Sequence, residues 1–290
     1  MPKLRHSLLA AAVSAALPLF AQAQPAPDLD SLTAAQAAAD ICAGKYTSEA
    51  LVGAALARAR ARADLNAFIT LDEAGALKAA KAADAARKRG ACKPLDGVPV
   101  VIKDNIEVAG LPASAGTPAL KGFVPKADAP VAAKLRAAGA IVLGKTNMHE
   151  LAFGISGYNL AFKSGAQPGV RNAYDPTRIA GGSSSGSGAA IGARIALAGL
   201  GTDTGGSVRI PCALNGCASL RPTVGRYAQK GIAPISHTRD TAGPMGVAMA
   251  DVALLDRVIA GGAAAKPADL KKVRVGVVAA NMANLDADTQ

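Results

Sequence analysis

The 290-residue sequence has no Trp, only 3% aromatic residues, three His and four Cys. His6 lies in a segment expected to be removed, so only His149 and His237 remain for a Ser-His-Asp or zinc reading. The Cys spacings repeat no C-x2-C zinc pattern. Long apolar runs are scarce as well. The stretch from Leu8 to Phe20, interrupted by Pro18, falls short of the ~20 residues that span a bilayer. What remains is 50% hydrophobic and 18% charged, too apolar for a disordered chain and long enough to bury a sizeable core.

Lys3 and Arg5, the apolar stretch after them and Ala21-Gln22-Ala23 form the three parts of a secretory leader. Residues 1–23 are expected to be a signal peptide cleaved near Ala23-Gln24, giving a periplasmic or secreted protein without a membrane anchor. The net charge is +11. Its visible clusters, Arg58, Arg60 and Arg62 and then Arg87, Lys88 and Arg89, fall toward the ends of predicted helices, where cations suit the helix dipole. They read as solvated helix ends, and no nucleic-acid partner is expected. Cys42 and Cys92 lie at helix boundaries and are expected to pair in an exported chain. Cys212 and Cys217 are left open as a second pair or as small buried hydrophobes.

Asp30-Ser31-Leu32-Thr33 opens an Ala-rich helix closed by Gly44, and Thr47-Ser48-Glu49 caps a second running to about Arg62. A third runs from about Asp72 to Arg89. Beyond it, β-branched runs at Val98 to Ile102 and Ala140 to Leu143 alternate with helical patterns at 128–138, 187–198 and 249–260, and Val273 to Val278 reads as a last strand. The alternation predicts an α/β fold, a sheet with helices on both faces. Residues 164–188 are rich in Gly, Ser, Pro and Asn, and a loop of that length implies function.

Two motif matches fail on context. Gly139 to Thr146 fits G-x4-G-K-[ST], but its four middle residues are themselves the best strand nearby and cannot wrap phosphate. Gly182-Ser183-Ser184-Ser185-Gly186 fits a nucleophile elbow on Ser184, yet no apolar strand precedes it and His237 is the only later His.

Three stretches survive together: Val100 to Asn105 around Lys103, Gly181 to Gly186, and Gly201 to Arg209. A Ser hydroxyl needs a base. Lys103, following an apolar run, becomes one if burial brings its pKa toward neutrality. Gly205-Gly206 lets backbone N–H groups approach a carbonyl oxygen beside Ser207.

With Leu95-Asp-Gly-Val-Pro99, Gly144-Lys-Thr-Asn-Met148, Asn172-Ala-Tyr-Asp-Pro176, Gly205-Gly-Ser-Val-Arg-Ile-Pro211 and Leu220-Arg-Pro-Thr223, the chain resembles the amidase signature family over most of residues 30–260. These are Ser-cis-Ser-Lys hydrolases of linear amides. The resemblance implies Ser207 as acylated nucleophile, Ser183 after a cis peptide as relay, and Lys103 as general base. It implies the backbone amides of Thr204, Gly205, Gly206 and Ser207 as oxyanion hole, with Asp203 and Arg209 as ion-paired scaffolding. It calls for no cofactor and no metal, and leaves a homodimer open. The implied fold is a mixed central sheet flanked by helices. Its divisions would be a helical region at 30–90, the signature core at 95–260 and the start of a second half at 270–290. The family's C-terminal part would be missing, so the opposing expectation is an inactive fragment.

Residues 231–244 look most like the indoleacetamide and mandelamide hydrolase branch, where Asp240 is either a loop anchor or a substrate contact. A small or aryl-acetamide substrate leads, with a C-terminal peptide amide next. Export argues against an aminoacyl-tRNA amidotransferase subunit. His149 and His237 are expected to be structural.

Overall fold

Side-chain caps fix where the first helices begin. Thr33 Oγ1 accepts the N–H of Gln36 at 3.1 Å to open α1, Ala34–Cys42, and Thr47 Oγ1 accepts that of Ala50 at 3.0 Å to open α2, Ser48–Ala61. The computed structural model describes residues 27–87, 90, 92–164, 168–263, 268–283, 285 and 287. The leader expected at 1–23 lies outside them, as do Lys88 and Arg89 of the second basic cluster. Among the described residues, no helix is long and apolar enough to cross a membrane.

The first basic cluster is spent inside the chain: Arg58 pairs with Asp30, Arg60 with Glu73 and Arg62 with Asp64. Strand β1, Phe68–Leu71, leads into α3, Glu73–Arg87, where Asp72 Oδ1 accepts the N–H of Gly75. Both pairs of cysteines are bridged, Cys42 to Cys92 and Cys212 to Cys217. The first ties the end of α1 to the segment before the central strand.

That strand is β2, Pro99–Lys103, buried throughout. It is followed by α4, Pro130–Ala137, and β3, Ile141–Thr146, then by α5, Ser185–Gly192, β4, Ala198–Asp203, and α6, Arg209–Asn215. The short β5, Ala218–Ser219, β6, Thr241–Gly246, and α7, Met249–Ala260, complete the set. The sheet order is β1-β3-β2-β4-β6-β5. β2 lies parallel to both β3 and β4, while β1 joins β3, and β6 joins β4 and β5, antiparallel. The sheet is thus mixed, with helices on both faces. Val100 and Ile102 pack with α1, α4 and α7, and Val101 packs with α2, α3, α5 and α6, as the two-residue period of a strand requires.

Two elements differ from the sequence expectation. The helix expected at 187–198 ends at Gly192, because Arg194 turns left-handed at φ 57°, and Ala198 opens β4 instead. Val273 to Val278 forms no strand. It pairs with neither sheet edge, and Val275 and Val277 are 85% and 75% exposed, since a strand without a neighbour has no ladder to stabilise it. Strands β1, β4, β5 and β6 were not expected. β4 and β6, Ala-Gly-Leu-Gly-Thr-Asp and Thr-Ala-Gly-Pro-Met-Gly, carry little strand propensity of their own and are set by pairing with each other.

Candidate active site

Four chain segments converge at the C-terminal end of β2. Lys103 closes that strand and is wholly buried. Its Nζ donates to Ser183 Oγ at 2.7 Å and to Thr202 Oγ1 at 2.7 Å. Burial drives its pKa down to about 7, against the opposing pull of the Asp203 and Asp240 charges. At neutral pH a large fraction of this amine is therefore unprotonated.

Ser183 follows a cis peptide from Gly182, and its carbonyl accepts the N–H of His149 at 3.1 Å. Ser184 anchors the start of α5 to β4. Its Oγ donates to Thr202 O at 3.2 Å and accepts the N–H of Thr202, which leaves it buried and rules out an elbow centred there. The two surfaces meet because residue 201 is Gly: a Cβ there would lie 2.5 Å from Ser184 Oγ. Ser184 N–H also donates to Ser207 O at 3.1 Å, joining the second serine loop to the first.

Ser207 is 7% exposed. Its Oγ makes no hydrogen bond among the described residues, so the Lys103–Ser183 link is formed and the Ser183–Ser207 link is not. The hydroxyl borders a cleft of about 300 Å³, walled by Phe153, Ile155, Ile235 and Arg239. Hydrogen bonds between catalytic groups commonly tighten only when substrate is bound.

The turn before Ser207 hangs on Asp203. This buried carboxylate accepts from Arg209, Arg221, Gly206 N–H at 2.7 Å and Val208 N–H at 3.2 Å. Burial pushes its pKa up, but the Arg209 and backbone bonds outweigh that and hold it below the ordinary value. Scaffolding is therefore the part Asp203 and Arg209 play here. One expected oxyanion donor needs correction. The Gly206 N–H is taken by Asp203 Oδ1, which leaves Thr204, Gly205 and Ser207 as the candidate donors. Gly206 is required instead for its φ of 124°.

Neither histidine hydrogen-bonds Ser207. His149 Nδ1 lies 3.4 Å from Ser156 Oγ, and burial lowers its pKa; His237 is exposed. Among the described residues, no group of three His, Cys, Asp or Glu side chains is placed to hold a metal. The Gly139 to Thr146 stretch is largely the buried strand β3, and Lys145 inside it donates to Asp104 O and Pro112 O. Cys212 and Cys217, left open by sequence, are paired.

Thr202 and Asn105 join this site too, although nothing in the local pattern of residues 100–105 and 201–209 marks them. Asn105 Nδ2 donates to Thr202 Oγ1 at 3.1 Å, so Thr202 receives both Asn105 and Lys103. The signal that would have found them is the β2–β4 pairing, in which Ile102 lies opposite Leu200.

The amidase family model matches residues 50–287. The chain belongs to the amidase family. It is 52% identical over 261 residues to the mandelamide hydrolase of Pseudomonas putida, covering 90% of this chain and 51% of that protein. To the indoleacetamide hydrolase of Agrobacterium vitis it is 44% identical, covering 80% of this chain and 48% of the relative. The X-ray structure of the native peptide amidase of Stenotrophomonas maltophilia superposes with a TM-score of 0.74 at 41% identity, covering 82% of this chain and 50% of that one. The amidase chain described here spans about half the length of the curated relatives it matches.

Proposed function

We propose that the chain hydrolyses a linear carboxamide to a carboxylate and ammonia or an amine through an acyl-enzyme on Ser207. The observation that carries this reading is the Lys103 amine, buried, tuned to about 7 and 2.7 Å from Ser183 Oγ. The unprotonated amine takes the Ser183 proton while Ser183 Oγ takes that of Ser207. Ser207 Oγ then bonds to the amide carbon, and the carbonyl oxygen becomes an oxyanion facing the N–H groups of Thr204, Gly205 and Ser207. As the C–N bond breaks, its electron pair stays on nitrogen, which receives the proton back from Lys103 through Ser183. Water attacks the ester by the reverse relay and frees the acid. By general magnitudes, the base is worth about 10²–10⁴-fold and one oxyanion donor about 10²–10³-fold.

Small arylacetamides lead as substrates, supported by the likeness to mandelamide and indoleacetamide hydrolases and by the apolar wall of Phe153, Ile155 and Ile235 beside Ser207. The likeness to the peptide amidase favours a C-terminal peptide amide second. Export is part of the proposal, supported by two disulfides, which persist in oxidising compartments. Phe153 and Ile155 are 78% and 65% exposed, so the same test must also ask whether this chain alone suffices. Ammonia release from a panel of arylacetamides and peptide amides, with Ser207→Ala as control, checks the reading. Turnover that the variant lacks is expected. No turnover and no fluorophosphonate label on Ser207 marks an inactive fragment, and activity retained by Ser207→Ala overturns the assignment.

A further inference from the structure

Beyond the Ser207 cleft lies a second lobe of about 190 Å³, and the two share Thr204 and Ile235 as a wall. The second lobe stands on the Lys103 side, since it is lined by Thr202 and Asn105, and Thr202 takes the Lys103 hydrogen bond. Apart from the ring of the exposed His237, its polar side chains present mainly acceptors. Asn105, 4% exposed, commits its Nδ2 to Thr202, and Gln229 commits its Nε2 to Tyr227 O at 3.1 Å. The other ends of these amides, Asn105 Oδ1 and Gln229 Oε1, are buried with no donor. Asp240 adds a carboxylate held by Thr204 Oγ1 at 2.6 Å and by the N–H groups of Ile235 and Ser236. No Lys or Arg lines this lobe. The Ser207 cleft has the opposite sign: Arg239 borders it, with no carboxylate paired to its guanidinium among the described residues.

Amide hydrolysis makes two products of opposite charge at neutral pH, and two lobes of opposite character flank the serine loop. We propose that the acceptor lobe receives the nitrogen half of the scissile amide, as ammonia or a small primary amine. Its N–H groups are held by Asn105 Oδ1 and Gln229 Oε1 and, after it gains a proton from water, by the charge of Asp240. The proposal rests on the hydrolase reading above for its place in the reaction. An unpaired buried acceptor is costly, and a guest rich in N–H groups relieves that cost. A carboxylate product has no donors and is repelled by Asp240, so it stays on the Arg239 side. The leaving nitrogen departs carrying the proton that Lys103 returned through Ser183, and the lobe is lined by Thr202, which shares that lysine.

Saturation-transfer NMR of methylammonium with the purified chain tests the lobe without requiring turnover. Tetramethylammonium, a cation without N–H, serves as control. Methylammonium is expected to receive saturation well above tetramethylammonium, and to lose about three- to tenfold of its affinity in Gln229→Met and in Asp240→Asn, the worth of one hydrogen bond. Equal signals from the two cations, or methylammonium binding unchanged in both variants with native circular dichroism, overturns the lobe. Where an ester substrate acylates Ser207, the split of the acyl group between methylamine and water is a second readout, expected to shift toward water in Gln229→Met. Methylammonium binding in a chain that never labels with fluorophosphonate would sink the hydrolase reading and keep the site. Labelling without methylammonium binding would do the reverse.

Discussion

Two lysines are wholly buried side by side at the ends of neighbouring parallel strands, Lys103 on β2 and Lys145 on β3. Burial lowers both, to about 7 and about 8, with the nearby Asp104 pulling Lys145 back up. Their partners set them apart. Lys145 Nζ donates to two carbonyls, Asp104 O and Pro112 O, and lies 3.7 Å from Asp104 Oδ1. A backbone carbonyl accepts a hydrogen bond but has no proton to hand over, so Lys145 serves as a clamp on the loop after β2. Lys103 meets two hydroxyls, and a hydroxyl both gives and takes a proton. A low pKa therefore does not by itself distinguish a base from a strut. What a base needs is a neighbour that can hand protons over.

Substitution separates the two most sharply. Lys103→Met is expected to cost about 10²–10⁴-fold in kcat of any amide the chain turns over. Its melting temperature should be no lower than that of the wild type, because a buried amine is exchanged for an apolar side chain of similar volume; a wild-type rate would end its role as base. Lys145→Met should reverse the pattern. It leaves the Asp104 charge uncompensated in the interior, at about 3–5 kcal/mol of stability read from urea unfolding, with the acid limb of the rate profile kept. Loss of that limb in Lys145→Met would make the two lysines one unit.

The pH profile sharpens the comparison further. Since only the unprotonated Lys103 accepts a proton, kcat/KM should rise with pH through about 7. Linkage has the same sign: between about 7 and the ordinary lysine pKa the unfolded chain binds the extra proton, so stability also rises with pH. Thr202→Val is the mildest test. Removing an acceptor from Lys103 disfavours the ammonium, so the acid limb should move to lower pH, with about a tenfold loss of rate from a less firmly held amine. A limb that stays in place would mean that Thr202 does not bear on the base.

Lys103, Ser183, Ser207 and the Cys42–Cys92 pair were legible in the sequence because each sits in a local pattern: an apolar run before a cation, Gly-Ser loops, helix boundaries. Thr202 and Asn105 were not, because their roles arise from β2 and β4 lying side by side, and no local pattern encodes that register. Nor was the use of the Gly206 N–H. A glycine beside a nucleophile reads as an oxyanion donor until Asp203 is seen folding back three residues to claim it. The helix expected at 187–198 failed for a related reason. Its Ala-rich stretch continues the helical pattern, and only the left-handed turn at Arg194 and the pairing of β4 end it.

The contact between Gly201 and Ser184 leaves no room for a methyl group where strand and helix start touch. Neither residue reaches the cleft, yet any side chain at 201 would push apart the loops that carry Ser183 and Ser207. A survey of all single substitutions, scored by turnover, would therefore rank Gly201 among the chemical residues, and its importance would be that of a spacer whose only requirement is to be empty.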